Sequence, residues 1–534
     1  MSKQLYKLSW IIIGALVIVL NHSCKKALDA APIDATSSTN FWTSQQSVEE
    51  AAVAMYGQLR NNFRNNNCYF MFGDYVGGLF EWNEAWNYSV LSATSPVYNT
   101  TPYCFALSAA YYLENYMNPS NFYQVIAQAN LMLQEVPGMN LNLFPGGQQQ
   151  QNAYIGEALF MKAYTYFYMI RVWGDPVFVN KSYDNANFDN IPPLPRSPQD
   201  SVLNLELNDL RTAASDLSYE GGNPAMTTRA NKGSTYALMA EIFEWQHRYD
   251  STHKYCQLVM QQGGYTLEPA ATYTNIWAGQ QSNESIFELP MTYNSNDPNF
   301  TNPNDGNNYS WNEATFSFFG AFLKGSIVNN INTSCWLSPA TGSNSSTWGA
   351  FVPNTFDSSD MRYKTILKKV AASGGDAEGY MLLKYANFKY QTPGNNSTTY
   401  VNNDLVLIRL ADIILLDAEA LSYEGDFADA KNDLAMTEGR AGITHYETVP
   451  QDVPDMVQEV VNERGRELIG EGQWYYDLIR TEATIHGLEG VGYPANRVTS
   501  AEQGYYWPLD MGALYQYDPL LTQIPYWSQN TDFY

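Results

Sequence analysis

Positive charge is scarce in this 534-residue chain: 29 Lys and Arg stand against 54 Asp and Glu, a formal net charge of −25. A surface of that sign repels a phosphate backbone instead of releasing its counterions, so nucleic-acid binding is disfavoured. Cysteine is nearly as sparse. The five cysteines form no CxxC pair, which removes the usual signs of zinc or thioredoxin-like chemistry. Cys68, Cys104, Cys256 and Cys335 are read as buried thiols, with a Cys68–Cys104 disulfide as the alternative. Histidine fits no metal motif either: His247 and His253 are six apart, His445 and His486 stand alone, and HExxH is absent. Walker A, GxGxxG opening a helix and GxSxG are missing, as is the acid spacing of an EF-hand around Asp305-Gly306. No cofactor and no metal is expected. Long apolar runs are confined to the start, where Leu8–Leu20 is too short to cross a hydrocarbon core of ~30 Å as a helix.

That first run follows Lys3 and Lys7 and reads as a signal peptide over residues 1–23. Leu20-Asn21-His22-Ser23-Cys24 places an aliphatic residue at minus four and a small one at minus one, a layout that resembles a bacterial lipobox. Lipidation of Cys24 and a membrane anchor through it are therefore expected. The whole chain is 45% hydrophobic and 14% aromatic, enough for a large core and too rich in aromatics for disorder. Two parts are expected, residues 24–264 and 265–534, folded together as one unit.

Helical periodicity dominates the first part. Thr43 and Gln46 stand in capping-box spacing before a stripe of Val48, Ala51, Ala52, Met55 and Leu59. Phe122, Val125, Ile126, Ala129, Leu133 and Val136 form a second stripe, stopped by Pro137-Gly138. Ile155, Ala158, Leu159, Tyr166 and Ile170 form a third, ended by Gly174-Asp175-Pro176. Ser197-Pro198 offers an N-cap and a first-turn proline before Val202, Leu203, Leu210, Ala213, Ala214 and Leu217. Two helical hairpins are predicted, Asn231–His247 with Ser251–Gln262, and Leu405–Tyr423 with Ala428–Arg440. The second carries Gly425, Phe427 and Ala430 in the spacing of a tetratricopeptide unit. Asn61–Pro102 and Tyr265–Asn403 differ: they are rich in Asn, Ser, Thr, Gly and Tyr and read as long loops with short strands such as Ser285–Pro290 and Met381–Tyr385. Long loops on a rigid scaffold are where binding usually sits.

Two groups of residues invite a functional reading. Glu463, Glu467 and Glu471 recur at four-residue spacing, which would place paired carboxylates on one helical face for work on a glycoside. Like charges at that spacing repel, and Arg464, Arg466, Arg480 and Arg409 are at hand, so a structural ion-pair network is the better reading. The aromatics of the polar loops suggest a ligand site. Tyr75, Trp82, Asn83 and Trp86 form one candidate group, Tyr309, Trp311 and Trp336 a second, with Trp348 nearby. A flat ring packs on the C–H face of a pyranose, each contact adding roughly 0.5–1.5 kcal/mol beyond area burial. Loop anchoring is the competing explanation for any single ring.

Taken in order, further segments resemble the SusD/RagB family of Bacteroidetes outer-membrane nutrient-binding lipoproteins. They are Leu28-Asp29-Ala30-Ala31-Pro32, Asn40-Phe41-Trp42, Glu157-Ala158-Leu159-Phe160-Met161-Lys162-Ala163-Tyr164 and Arg171-Val172-Trp173-Gly174-Asp175-Pro176. Ile408-Arg409-Leu410-Ala411-Asp412, Asp417-Ala418-Glu419-Ala420, Gly439-Arg440-Ala441-Gly442 and Glu463-Arg464-Gly465-Arg466-Glu467-Leu468 continue the match. Glu471-Gly472, Asp477-Leu478-Ile479-Arg480, Tyr505-Tyr506-Trp507-Pro508-Leu509 and Leu521-Thr522-Gln523 complete it. The resemblance implies an all-α scaffold of four tetratricopeptide-like helix pairs with a loop-rich ligand-binding half. It implies no catalysis, an oligosaccharide or peptide ligand, and a partner, a SusC-like TonB-dependent outer-membrane transporter. It carries over no binding residue. Gly465 departs from it, standing where the family often has an arginine. A carbohydrate-active enzyme and a purely protein-binding scaffold are the other function classes.

Overall fold

A computed structural model describes residues 41–64, 68–77, 80–82, 116–182, 192–220, 227–278, 282–291, 335–337, 356–370, 379–385, 388–390, 399–401, 403–443, 450–490 and 493–529. Its frame is helical. Helices α1 (Gln45–Arg64), α2 (Ser120–Glu135), α3 (Gly147–Trp173), α4 (Gln199–Asp216), α5 (Lys232–Trp245), α6 (Tyr249–Gln262), α7 (Leu410–Glu424) and α8 (Phe427–Ala441) pack each on the next. Four consecutive pairs result, α1/α2, α3/α4, α5/α6 and α7/α8. Helices α9 (Val453–Glu467) and α10 (Trp474–Ile485) close the array, α9 lying on α7.

The stripes read from the sequence point inward. Val48, Ala52, Met55 and Leu59 are fully buried on α1, as are Val125, Ile126 and Ala129 or nearly so on α2. Helix α3 departs from the amphipathic expectation: it is buried on every side from Gly156 to Trp173, because both neighbouring pairs press on it. Its charged residues survive there through partners. Glu157 accepts from Arg229 at 2.8 Å, and Lys162 donates to Asp209 at 2.7 Å. The α7/α8 hairpin has a core of its own, in which Leu415, Ala418, Leu421, Ala430 and Leu434 pack with Met456 and Val460 of α9, while Gly425 takes the left-handed cap at φ 82°.

Three expectations need correction. Cap placement shifts by one residue in α1, where Ser47 N–H donates to Ser44 Oγ at 3.2 Å, so Ser44 and not Thr43 begins the helix. Pro198 caps α4 without a side-chain bond, and the free Gln199 N–H is met by Asp175 Oδ1 at 2.9 Å. The first part of the second predicted hairpin is a strand: β8 (Asp404–Arg409) pairs antiparallel with β2 (Ser285–Pro290) before α7 starts at Leu410. A short run buried on both faces looks alike as helix or strand, and only pairing decides it.

The remaining strands are short. β1 (Phe80–Trp82), β3 (Cys335–Leu337), β4 (Leu367–Val370) and β5 (Gly379–Leu382) make one antiparallel sheet in the order β1-β3-β5-β4, and β6 (Phe388–Tyr390) pairs with β7 (Thr399–Val401). No described helix is long and apolar enough to cross a membrane.

Candidate functional site

The β1–β3 pairing joins the two aromatic regions. Glu81 lies opposite Trp336 and Trp82 opposite Cys335, so Trp82 and Trp336 occupy adjacent strands one register step apart, positions that belong to opposite faces of the sheet. Tyr75 opens a short 3-10 turn, Tyr75–Gly77, just ahead of β1. Asn83, Trp86, Tyr309, Trp311 and Trp348 lie outside the described residues, as do Cys24 and Cys104. Cys256 is a buried free thiol.

Below this sheet, a single turn between α9 and α10 holds the stems of both loop regions. Gly470 and Gly472 adopt φ 77° and 75°, which bends the chain through Glu471 into Trp474. On the first stem, Asp74 accepts from Gly472 N–H at 2.6 Å, Tyr69 donates to Glu471 O at 2.7 Å, and Trp474 Nε1 donates to Gly77 O at 2.9 Å. On the second, Lys384 Nζ donates to Glu467 O at 2.7 Å and to the Glu471 carboxylate, and Tyr385 donates to Gly470 O at 2.8 Å. Close approach needs glycine at Gly472, where a Cβ would stand 2.6 Å from the Tyr69 ring. Gly465 serves likewise, since a Cβ there would meet the Trp474 ring at 2.7 Å. An arginine at this position would expel that indole.

The carboxylates are scaffold parts. Glu463 and Glu467 are fully buried on α9, whereas Glu471 is past the helix end, not on its face. Arg362 donates to Glu463 at 2.7 Å and to Glu467 at 2.9 Å. Arg409 reaches Glu284, Glu467 and Glu471 at 2.6, 2.8 and 2.7 Å, and Arg440 binds Glu284 and Glu467. Arg466 pairs with Glu463 as expected, but Arg464 and Arg480 do not serve these acids: Arg464 pairs with Asp412 and Asp477, Arg480 with Glu419 and Asp477. Arg409 ends a strand and is not helical, and Arg362, Arg440 and Lys384 were missed because their approach depends on the fold. Burial alone would raise the Glu467 carboxyl, yet Arg440, Arg409, Arg362 and Lys384 hold it well below the usual range. Such a carboxylate is poorly suited to proton transfer. Burial likewise pushes Asp74 up to about 8, against the Gly472 N–H, and lowers Lys384 to about 8, against Glu471.

Elsewhere, a cleft of about 840 Å³ opens between the start of α2, the segment after α3 and residues 509–521. Among the described residues, none of the predicted ligand residues lines it. Its walls are mainly apolar, and two of its polar side chains serve its own backbone: Tyr123 donates to Val177 O at 3.0 Å and Arg196 to Trp173 O and Asp175 O at 2.6 Å. Glu482, His486 and Glu489 gather three possible metal-ligand atoms within 4.8 Å at the C-terminal end of α10, where Glu482 Oε2 accepts from the Leu488 N–H.

A family model described as "SusD family" matches residues 245–527, and one described as "Starch-binding associating with outer membrane" matches residues 27–243. A SusD-like protein P38 of Formosa agariphila is 24% identical over 546 residues, covering 95% of this chain and 96% of that one. A SusD superfamily protein of Bacteroides thetaiotaomicron superposes with TM-score 0.70 at 22% identity, covering 91% of this chain and 99% of the other. A structure described as a laminarin binding SusD-like protein superposes with TM-score 0.62 at 19% identity, covering 90% and 99%. With more than half its length under the first family model and the helix-pair frame in common with these structures, the chain belongs to the SusD family.

Proposed function

We propose that this chain is a binding protein without enzymatic activity that captures oligosaccharide at the outer membrane, held there by lipid on Cys24 and facing the exterior. The observation that carries the reading is the β1–β3 pairing, which joins the two ring-rich loop regions, one carrying Trp82 and the other Trp336, into one sheet beside the braced stems. Loop segments already joined in a sheet lose less freedom when the sugar arrives, which lowers the ordering cost of binding. The similarity to a laminarin-binding relative supports a glycan ligand. Tyr75, Asn83, Trp86, Tyr309 and Trp311 belong to the same two segments and complete the proposed contact set. Captured ligand passes to a SusC-like TonB-dependent transporter, the second partner in this reading.

Calorimetry of the chain starting after Cys24, against plant, fungal and host oligosaccharides, tests it. Saturable binding without turnover, weakened by Trp82→Ala or Trp336→Ala, is expected. Silence across the panel with folded protein, or binding of peptides alone, overturns the glycan reading. Loss of radiolabelled palmitate on Cys24→Ser tests the anchor, and co-purification of the full chain with a barrel tests the partner.

A further inference from the structure

A small chamber lies inside the scaffold where α3, α5, α7, α9 and α10 meet, lined among others by Phe167, Arg171, Glu241, Asp412, Arg464 and Tyr476. Arg171 and Glu241 are buried, with 5% and 8% of their surface exposed. The Arg171 guanidinium is sandwiched between the Phe167 and Tyr476 rings, its carbon 4.4 and 4.5 Å from their centroids. Both faces of the cation are thus covered, and its N–H groups must find acceptors at the edge. One does so, Nη1 donating to Gln473 Oε1 at 3.3 Å. Nε has no hydrogen-bond partner among the described residues, and the same holds for Glu241 Oε1. The two residues approach only to 3.8 Å, between Nη1 and Oε2, too far for a hydrogen bond.

We infer that the chamber is a built site for one water molecule, held between Arg171 Nε and Glu241 Oε1. Room for the centre of a water-sized sphere is about 10 Å³, the lower end of what holds a single water. The chemistry selects the occupant. The lining mixes three guanidinium groups, Arg171, Arg464 and Arg480, with the carboxyls of Glu241 and Asp412, so a neutral molecule that both accepts and donates suits it better than an ion of either sign. A water accepts from the guanidinium and donates to the carboxyl at once. Its position gives it a role, because Arg171 and Glu241 belong to the part matched over residues 27–243, and Asp412, Arg464, Gln473 and Tyr476 to the part matched over 245–527. The water fills the polar seam between them.

A high-resolution crystal structure of the mature chain tests the inference. One fully occupied peak within hydrogen-bond reach of Arg171 Nε and Glu241 Oε1 is expected. A peak ringed by oxygen alone at metal-ligand distances overturns it, and so does direct contact of the two side chains with no peak between them. In thermal melts Glu241→Gln, which still bonds to water, is expected to keep Tm close to the parent, whereas Glu241→Leu lowers it by several degrees. Equal Tm values for the two variants overturn the inference by a second route.

Discussion

Arg409 grips Glu471 with two parallel hydrogen bonds, Nε to Oε2 at 2.7 Å and Nη2 to Oε1 at 2.8 Å, and so ties the end of β8 to the turn that braces the loop stems. Both groups are almost fully buried, and the same guanidinium serves Glu284 and Glu467. Removing it would leave buried carboxylates short of a cation. Arg409→Met is therefore expected to cost about 3–5 kcal/mol, and Arg409→Lys less, since it keeps the charge but loses the fork. Urea unfolding of the three proteins checks the order.

Gly472→Ala strains the left-handed turn and drives a Cβ into the Tyr69 ring. The expected loss is about 1–3 kcal/mol, with weakened binding of any oligosaccharide that the parent takes up. Denaturation and calorimetry read the two effects separately.

Glu206 is fully buried on α4, and burial pushes its carboxyl up to about 8 despite Lys162 at 3.6 Å. Between pH 4.5 and about 8 the folded chain keeps a proton there that the unfolded chain has released. The contribution of Glu206 to stability is thus present in acid and lost as the pH rises through that window. Glu206→Gln, which cannot ionise, is expected to flatten the decline. Unfolding midpoints at several pH values, parent against variant, test it.

Cys256 lies at 0% exposure on α6, and burial raises its thiol well above the usual value, with Asp417 and Glu244 adding to the effect. Iodoacetamide is expected to spare Cys256 in native protein and to alkylate it in urea, as peptide mass spectrometry reports. Labelling of the native chain at this position would contradict the burial.

Much of the frame was legible because helical burial repeats locally. Val48, Ala52, Met55 and Leu59 on α1 announce their inward face through spacing alone, and Gly425, Phe427 and Ala430 mark a hairpin whose glycine does take the left-handed cap. The candidate site was legible only as composition. Polar segments rich in rings suggested binding, but nothing local says which strand pairs with which.

The sequence by itself determined the inward stripes and two helical hairpins, which follow from neighbours within a few residues, and the acidic balance and the order of family segments, which are read straight off the chain. Tertiary structure alone decided that Leu405–Arg409 is a strand, that Arg362, Arg440 and Lys384 serve the buried glutamates, and that Trp82 and Trp336 share a sheet. These outcomes rest on contacts between residues far apart in the chain. Buried charges accept whichever cation the packing delivers, and short strands accept whichever edge lies free, so spacing carries no record of either choice.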